Sequence, residues 1–439
     1  MRTSRLPVIA FTAALLLMAG SVAWLMYESK EQSALAAELA HTKQLNHGKR
    51  VNPATMPPTP AAEPKKAAAP DDTAPTTASP AIATLNVPGS MPNEALLTFR
   101  SVEALAAFRD RAAALGLELL GYDPKLRMAR VRFRTPAALE GELNAHAADY
   151  SYIGPNLIAR IPRLPAPAAQ TDTANAGGRE PFRSQGLDAI GAAGDRSGWG
   201  QGVTVAIIDS GVTAHPSLAN VQVTHYDMLN DGSAFNGHGT AMASLIAGND
   251  PTVGGVSPSA KLLDIRVADT NGNSNTAMVS SAIIKAADLG ARVINISLGA
   301  EGDTPVLDEA VRYATSRNIV VVAAAGNGQE TALSFPAGIP GVLSVGAVDA
   351  TGTQAYFSNS GQGLVLVAPG VGIVSGYSDG KFVIGSGTSQ ATAITSGVVA
   401  YLLGRGYSGA SIIPLLTRTA EPLKAPATAV GAGLIQLPK

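Results

Sequence analysis

The sequence lacks cysteine altogether, and its 439 residues carry almost no net charge. The missing thiols exclude disulfides, thiolate zinc sites and cysteine nucleophiles. Charged residues make up only 15% of the chain, and 32 basic side chains against 33 acidic ones leave a net charge of -1. Since we find no basic stripe with interleaved aromatic residues, the charge pattern argues against nucleic acid as a partner.

Hydrophobic residues and glycine take the place of the missing charge. Hydrophobic residues make up 46% of the chain, and 46 residues are glycine. This composition is typical of a domain with buried parallel strands and tight turns. The length allows one large domain with accessory segments.

The N-terminal segment 1–30 is predicted to be a signal anchor or a signal peptide. Two arginines precede an uncharged run from Leu6 to Tyr27, which is long enough to cross a bilayer as a helix. The run continues past Ser21-Val22-Ala23, a possible cleavage site, so both an uncleaved transmembrane helix and a cleaved signal remain open. We expect a cell-envelope location, with the rest of the chain on the extracytoplasmic side, anchored to the membrane or secreted.

Two segments of low complexity divide the remaining chain. Residues 31–92 read as a short stalk followed by a Pro/Ala-rich linker, and residues 164–182 form a second linker rich in proline, alanine and glycine. They separate a small domain, 93–163, from a large one, 183–439. In the small domain the pattern predicts the order strand, helix, strand, strand, helix, strand of a ferredoxin-like α+β fold, with Leu157 to Ile161 as part of the last strand.

The large domain alternates short apolar runs with helical stretches, as α/β proteins with a parallel sheet and helices on both faces do. The predicted strands are Val203 to Ile208, Leu262 to Val267, Val293 to Ile296, Ile319 to Ala323, Val342 to Val345 and Leu364 to Val367. The predicted helices include Thr240 to Ala247, Thr276 to Leu289 and Val306 to Arg317. Active sites of this architecture lie at the carboxyl ends of the strands.

Four polar residues stand at such strand ends or at the starts of helices. Asp209 ends an apolar strand, His238 lies between two glycines before a helix, and Asn327 follows another strand. Ser389 lies in a glycine-framed turn that opens a helix, where unpaired N–H groups and the helix dipole stabilise an oxyanion. Each residue alone is also consistent with a structural role in a turn or a cap.

The combination of the four resembles the subtilisin family, the subtilases, from about Val203 to Gly404. The catalytic order in that family is aspartate, histidine, serine. The matching motifs include Asp209-Ser210-Gly211, Asn236-Gly237-His238-Gly239-Thr240, Gly255-Val256-Ser257-Pro258, Ser297-Leu298-Gly299, Val367-Ala368-Pro369-Gly370 and Gly387-Thr388-Ser389. The resemblance implies a serine endopeptidase that acts on proteins or peptides without a cofactor.

By this resemblance Ser389 attacks the peptide carbonyl and His238 exchanges its proton. Asp209 would hold the imidazole in the required tautomer, and Asn327 would donate to the oxyanion. The segment Ser297-Leu298-Gly299 would pair with an extended substrate through its backbone, which implies broad specificity.

Several positions depart from the family pattern. Gln390 and Ala393 replace a common methionine and proline, and Ala241-Met242 replace a usual histidine. The segment from Gly248 to Val253 is shorter than the loop that holds calcium in relatives, so we predict no metal. Ser334 resembles the floor of the specificity pocket, and its small size suggests a pocket open to bulky apolar side chains.

The small domain resembles the inhibitory prodomain of many subtilases, with Tyr152-Ile153-Gly154-Pro155-Asn156 near its end. It would inhibit the enzyme within the same chain until self-cleavage between Ile161 and Pro181, although an adaptor or docking role is the alternative. Two other functions remain open for the whole chain. One is a catalytically silent pseudoprotease that binds peptides, and the other is an envelope protein whose protease acts only on itself.

Overall fold

The computed structural model describes residue 82 and residues 84–163 and 177–438. The predicted anchor or signal segment and the first part of the stalk and linker lie outside these residues, as do residues 164–176 of the second linker. Within the described ranges, no helix has the length and apolar character needed to cross a membrane.

The small domain has the element order that the sequence predicts. Its elements are β1 (Glu94–Phe99), α1 (Val102–Arg111), β2 (Leu117–Asp123), β3 (Met128–Phe133), α2 (Pro136–Ala145) and β4 (Tyr150–Gly154). The strands pair in the order β2-β3-β1-β4, and every pairing is antiparallel. Helix α1 begins at Ser101, whose hydroxyl accepts a hydrogen bond from the backbone N–H of Ala104.

The two faces of this sheet bury different neighbours because side chains alternate along each strand. Leu97 and Phe99 of β1 pack in the domain's own core with Phe108 of α1. Leu96 lies on the opposite face of the sheet from Leu97 and Phe99. Like Met128, it belongs to the core that the small domain shares with the large one. One face therefore stabilises the small domain, and the other docks it.

The last predicted strand of the small domain pairs elsewhere. A separate strand, β5 (Ile158–Arg160), leaves the small sheet and forms an antiparallel pair with β9 (Asn273–Asn275) of the large domain. The prediction that Leu157 to Ile161 belong to the small domain's final strand is therefore wrong, since β4 already completes that sheet. A strand's partner is set by tertiary position, which the local pattern does not contain.

The large domain is built on a sheet of seven parallel strands. The strands of the large domain, besides β9, are β6 (Thr204–Asp209), β7 (Val223–Asp227), β8 (Lys261–Arg266), β10 (Val293–Ile296), β11 (Val320–Ala324), β12 (Leu343–Val348), β13 (Leu366–Pro369), β14 (Ile373–Gly376) and β15 (Phe382–Gly385). Strands β14 and β15 form a separate two-stranded sheet. Its helices are α3 (His238–Ala247), α4 (Thr276–Asp288), α5 (Pro305–Thr315), α6 (Thr388–Gly404), α7 (Gly409–Thr419) and α8 (Ala427–Val430).

The strand order of the main sheet is β13-β12-β11-β10-β6-β8-β7. The six predicted strands are confirmed to within about three residues at each end, and their wholly or almost wholly buried side chains explain the continuous apolar runs. Strand β7 was not predicted from the sequence, because it is mostly exposed and polar. Because β6, β10 and β11 are neighbours, the residues that follow their carboxyl ends meet at one edge.

Candidate active site

Asp209 and His238 form a hydrogen-bonded pair at this edge. Asp209 ends β6 with its side chain fully buried, and His238 is the first residue of α3. The imidazole Nδ1 lies 2.9 Å from each carboxylate oxygen, so the carboxylate fixes Nδ1 as the donor. Asp209 Oδ1 also accepts the backbone N–H of Ser210 at 2.7 Å. These contacts orient the ring, and among the described residues its Nε2 has no hydrogen-bond partner.

Glycines make the position of His238 possible. Gly237 precedes α3 with a φ of 91°, a left-handed conformation that a side chain would strain. At Gly239 an added Cβ would lie 2.5 Å from the carbonyl oxygen of Gly211. The start of α3 thus packs directly against the backbone that follows Asp209, and a bulkier residue at Gly239 would push His238 away.

Ser389 lies in the first turn of α6, which is buried along nearly its whole length and packs on α3 and on strands β10 to β13. Its hydroxyl donates to the carbonyl oxygen of Ser297 at 3.2 Å. Within the described ranges no hydrogen bond joins Ser389 to His238. The structure brings the serine to the same edge as the Asp209–His238 pair but turns its hydroxyl toward Ser297.

Asn327, just beyond β11, has an oriented side chain. Its Oδ1 accepts from both the backbone N–H and the hydroxyl of Thr388, at 2.9 and 2.8 Å. The amide Nδ2 therefore points away from Thr388, into the space in front of Gly387. An added Cβ at Gly387 would lie 3.2 Å from that Nδ2 and 3.7 Å from the Ser389 backbone nitrogen, so the glycine keeps this space open.

A peptide carbonyl of the chain itself occupies that space. Asn327 Nδ2 donates to the carbonyl oxygen of Pro162 at 3.3 Å. Pro162 follows β5 in the segment that leaves the small domain. The Asn327 amide thus already binds a backbone carbonyl, the group that becomes an oxyanion during acyl transfer.

The segment Ile158 to Pro162, which we call the tail, lies extended between two backbone segments of the large domain. On one side it pairs with β9, and the N–H of Ile161 donates to the carbonyl of Gly272 at 2.9 Å. On the other side Arg160 and Gly299 exchange two backbone hydrogen bonds of 2.8 and 2.9 Å. The tail is the middle strand of three, the arrangement that backbone recognition of a peptide requires.

Continuing the register of Arg160 and Gly299 by two residues in each strand aligns Pro162 with Ser297. In an antiparallel ladder the next hydrogen-bonded pair after Arg160 and Gly299 joins residues two positions along in each strand. An ordinary residue at position 162 would donate its N–H to the Ser297 carbonyl, but proline has no such donor. That carbonyl instead accepts the Ser389 hydroxyl.

A second carboxylate lies behind the site. Asp264 of β8 is buried, and burial raises its pKa. It accepts the backbone N–H of Val212 at 2.9 Å and contacts His225 Nδ1 at 2.9 Å. The hydrogen bond to Asp264 raises the pKa of His225. Asp264 thereby ties the loop after Asp209 to β7.

Arg266 holds the loop that leads into His238. Its guanidinium is buried, pairs with Asp227 at 2.8 Å and Asp231 at 3.1 Å, and donates to the hydroxyl of Ser233. It also lies over the ring of Phe235. By register Arg266 is opposite Asp209 in the neighbouring strand, so one cation links the loop to the strand that carries Asp209.

The fold brings to one edge all of the site residues predicted from the sequence, which are Asp209, His238, Asn327, Ser389 and the segment 297–299. Gly272, Asp264 and Arg266 were not predicted from the sequence, and Thr388 was named only as part of the motif that contains Ser389. The neighbourhood of Ser389 pointed to Thr388, and Asn271-Gly272-Asn273 reads as a turn. An isolated arginine or aspartate in an apolar strand carried no sign of its partners.

Comparison with known proteins assigns the family. Residues 200–433, just over half of the chain, match the subtilase family, Peptidase S8. The chain belongs to the subtilase family. It is 36% identical to thermitase of Thermoactinomyces vulgaris over 236 residues, which cover 52% of this subtilase and 85% of thermitase.

Other relatives differ in length. The chain is 38% identical over 234 residues to the thermophilic serine proteinase of Bacillus sp. strain AK1, covering 52% of this chain and 58% of that protein. Among solved structures, fervidolysin from Fervidobacterium pennivorans, a keratinolytic enzyme related to subtilisin, superimposes with a TM-score of 0.68 at 25% identity. That match covers 80% of this subtilase and 61% of fervidolysin, so it reaches well beyond residues 200–433.

Proposed function

We propose that this subtilase is a serine endopeptidase in which Ser389, His238 and Asp209 act on the substrate's peptide bond and Asn327 binds the oxyanion. The observation that carries the proposal is the Pro162 carbonyl on the Asn327 amide, with Ser389 beside it. The proteinases to which the chain is similar support the same reaction.

The chemistry follows from the positions of these groups. The Ser389 hydroxyl leaves the Ser297 carbonyl, gives its proton to His238 Nε2 and adds to the substrate carbonyl carbon. Asp209, held against Nδ1, stabilises the imidazolium that forms. His238 then protonates the departing amine as the peptide C–N bond breaks. Water attacks the acyl-enzyme by the reverse proton path and releases the free acid.

The small domain acts in this proposal as an inhibitor within the same chain. Its tail fills the cleft, with Arg160 paired to Gly299 and Pro162 at the oxyanion amide. The bond in place for self-cleavage is that between Pro162 and Arg163, within the range expected from the sequence. Cleavage there would break the covalent link between the two domains. The small domain would stay bound non-covalently until it dissociates.

Labelling of the full chain with a fluorophosphonate, together with casein hydrolysis, tests this function. We expect the wild type to be labelled, to hydrolyse casein and to yield a fragment that begins at Arg163. The Ser389→Ala variant should do none of these. Absence of both label and turnover in a folded wild type would favour the silent peptide-binding protein, whereas label without casein turnover would leave a protease that acts only on itself.

We also propose an extracytoplasmic location, which rests on the uncharged run from Leu6 to Tyr27. Fractionation tests it. The large domain should be found in membranes or in the medium and should be open to protease added from outside. Its recovery from the cytoplasm with the N-terminus intact would contradict this location.

A further inference from the structure

A cavity of about 520 Å³ lies between strand β7 and the loop that follows β6. Its lining residues come from two segments, 212–219 and 223–225. They are different from the residues that pair with the tail, which are Gly272, β9 and Gly299. Because sites for small molecules have volumes of roughly 300–1,000 Å³, this cavity has room for a ligand while the tail fills the peptide cleft.

The lining of the cavity is mostly apolar. Val212, Leu218 and Val223 contribute branched aliphatic side chains, and two alanines and a proline add to this surface. The hydroxyl of Thr213 is already engaged, since it lies 3.0 Å from the hydroxyl of Thr240. An apolar group that enters the cavity would therefore leave water for contact with aliphatic side chains, which is favourable.

Two histidines line the cavity, and they differ in what they offer a ligand. His215 is buried, its Nδ1 accepts the backbone N–H of Ser217 at 3.1 Å, and its Nε2 donates to the carbonyl of Lys381 at 2.9 Å. The side chain of His225 is 57% exposed, and its Nδ1 is bound to Asp264 at 2.9 Å. Within the described ranges the Nε2 of His225 has no hydrogen-bond partner. His225 is thus the polar side chain of the cavity that remains for a ligand.

The charge that His225 presents is set by Asp264. The carboxylate fixes Nδ1 as a donor, and this hydrogen bond raises the pKa of the imidazole. In the protonated ring Nε2 is also a donor, and it then carries part of a positive charge. An anionic oxygen is the complementary partner, because hydrogen bonds between charged groups are stronger than neutral ones.

We propose that this cavity is a second binding site, which takes a small apolar monocarboxylate such as a medium-chain fatty acid. The carboxylate would accept a hydrogen bond from His225 Nε2, and the chain would lie against Val212, Leu218 and Val223. One unpaired polar side chain in an apolar lining suits a ligand with one polar end. It suits a peptide less well, because the amides of a peptide would need partners of their own.

Calorimetric titration of the full-length Ser389→Ala protein at pH 6.5 tests the proposal with octanoate and with octanol, which has the same chain length and no charge. We expect octanoate to bind at least about tenfold more tightly, the scale of one hydrogen bond to a charged group. The His225→Gln variant should bind the two equally. Equal binding of octanoate and octanol by the protein with His225 intact would overturn the proposal, and so would tighter binding of acetyl-Val-Leu than of octanoate.

Matched tryptophan variants test the place of binding. Ala219 is exposed and lines the cavity, so Ala219→Trp should fill part of it and weaken octanoate binding by at least about tenfold. Asn220 is the next residue, is also exposed and is not among the lining residues of this cavity. Asn220→Trp should therefore bind octanoate as its parent does. Equal affinities of the two tryptophan variants would contradict a site in this cavity.

Hydrogen exchange of the Ser389→Ala protein separates this cavity from the peptide cleft. With octanoate at saturation, amides of residues 212–225 should exchange several times more slowly, while those of residues 297–299 should be unchanged. Protection at residues 297–299 and Asn327 instead would place the carboxylate at the oxyanion amide and overturn the proposal. Since the protein in these experiments lacks the serine nucleophile, their outcome does not depend on the endopeptidase function.

Discussion

The Ser389 hydroxyl points to the Ser297 carbonyl, a group to which Pro162 cannot donate because proline has no backbone N–H. Pro162 offers no N–H to the Ser297 carbonyl, and the hydroxyl of Ser389 donates to it at 3.2 Å. A hydroxyl held there is not held on His238. With Pro162 in the tail, the Ser297 carbonyl stays free of a backbone donor and accepts the Ser389 hydroxyl.

The first prediction concerns this position. Pro162→Ala restores an N–H opposite Ser297, which competes for the carbonyl and releases the Ser389 hydroxyl toward His238. We expect the Arg163 fragment to form about tenfold faster than in the wild type, since about 1.4 kcal/mol, the order of one hydrogen bond, is a tenfold change. N-terminal sequencing of the fragments over time measures it.

A control for Pro162→Ala keeps Pro162, and so adds no N–H donor, but changes a residue of the tail away from the oxyanion amide. Arg160→Ala leaves both backbone hydrogen bonds to Gly299 possible and should process at close to the wild-type rate. Equal processing of Pro162→Ala and wild type would mean that the proline does not control the Ser389 hydroxyl.

The second prediction concerns Asn327. The Asn327→Ala variant removes the amide that binds the carbonyl, so kcat should fall by roughly a hundredfold to a thousandfold while KM changes little. This magnitude is that of the corresponding donor in subtilisin, a member of the same family. The Thr388→Val variant keeps the backbone N–H on Oδ1 but loses the hydroxyl, and it should show a smaller loss. A rise in KM without a fall in kcat would assign Asn327 to substrate binding alone.

At the scale of elements, the pattern of the large domain was predictable because its strands are buried on both faces and read as apolar runs. The helix from Thr388 to Gly404 was predictable from its glycine-framed start and its apolar repeats. Strand β7 was not, since it is mostly exposed and contains His225 and Asp227. These two residues pair with Asp264 and Arg266 of β8, and such tertiary pairing leaves no periodic signal in the sequence.

The same contrast holds within the site. Asp209, His238, Asn327 and Ser389 could be named because glycine-rich motifs surround each of them. The rotamer of Ser389 and the pairing of β5 with β9 could not, because both depend on which backbone segments of the two domains lie side by side after folding.

The third prediction treats the loop from Met228 to Gly237 as an element held by Arg266. The Arg266→Met variant keeps the buried volume but leaves Asp227 and Asp231 without their cation. We expect a lower melting temperature and a loss of kcat, with KM nearly unchanged, because His238 follows this loop. The Arg266→Lys variant keeps the charge without the two-pronged geometry and should recover only part of the activity.

Hydrogen exchange shows whether that loss starts in the loop. In the Arg266→Met variant, amides of residues 228–237 should exchange faster while those of β10 and β11 keep their protection. An unaltered exchange rate in the loop together with normal kcat would show that Arg266 does not position His238.

At the scale of the molecule, one side chain joins the two domains at the start of α4. Asn156 is buried, donates to Glu94 at 2.8 Å within the small domain and accepts the N–H of Ala277 at 3.2 Å from the large one. The adjacent Leu157 exchanges backbone and side-chain hydrogen bonds with Thr276. Docking is therefore specified at a helix N-terminus as well as by the apolar face of the small sheet.

The fourth prediction follows from that contact. The Asn156→Ala variant leaves the Ala277 N–H without its acceptor and should loosen the docked small domain, so that fluorophosphonate labels the full chain several times faster. Ser151→Ala changes an exposed residue whose hydroxyl bonds to Thr98 within the small domain, and it should label at the wild-type rate. Identical labelling rates for both variants would exclude Asn156 from docking.

The fifth prediction concerns the stability of the whole molecule against pH. The hydrogen bond to Asp264 raises the pKa of His225 above its ordinary 6.5, so the charged pair stabilises the fold near and just below pH 6.5, where Asp264, whose own pKa burial raises, is still ionised. Its contribution is lost as pH rises through the raised pKa, because His225 is then neutral beside a buried carboxyl. Asp209 also faces Asp264 and adds to the cost of the unpaired charge.

The melting temperature of the inactive Ser389→Ala protein should therefore fall between pH 6.5 and pH 9. The His225→Gln variant cannot gain the proton, so its melting temperature should be lower at pH 6 and should vary less over the same range. Combining His225→Gln with Asp264→Asn should remove the charge that needed a partner and give back part of the stability. A wild-type slope that survives in His225→Gln would place the titrating group elsewhere, since the stabilising proton would not then belong to this pair.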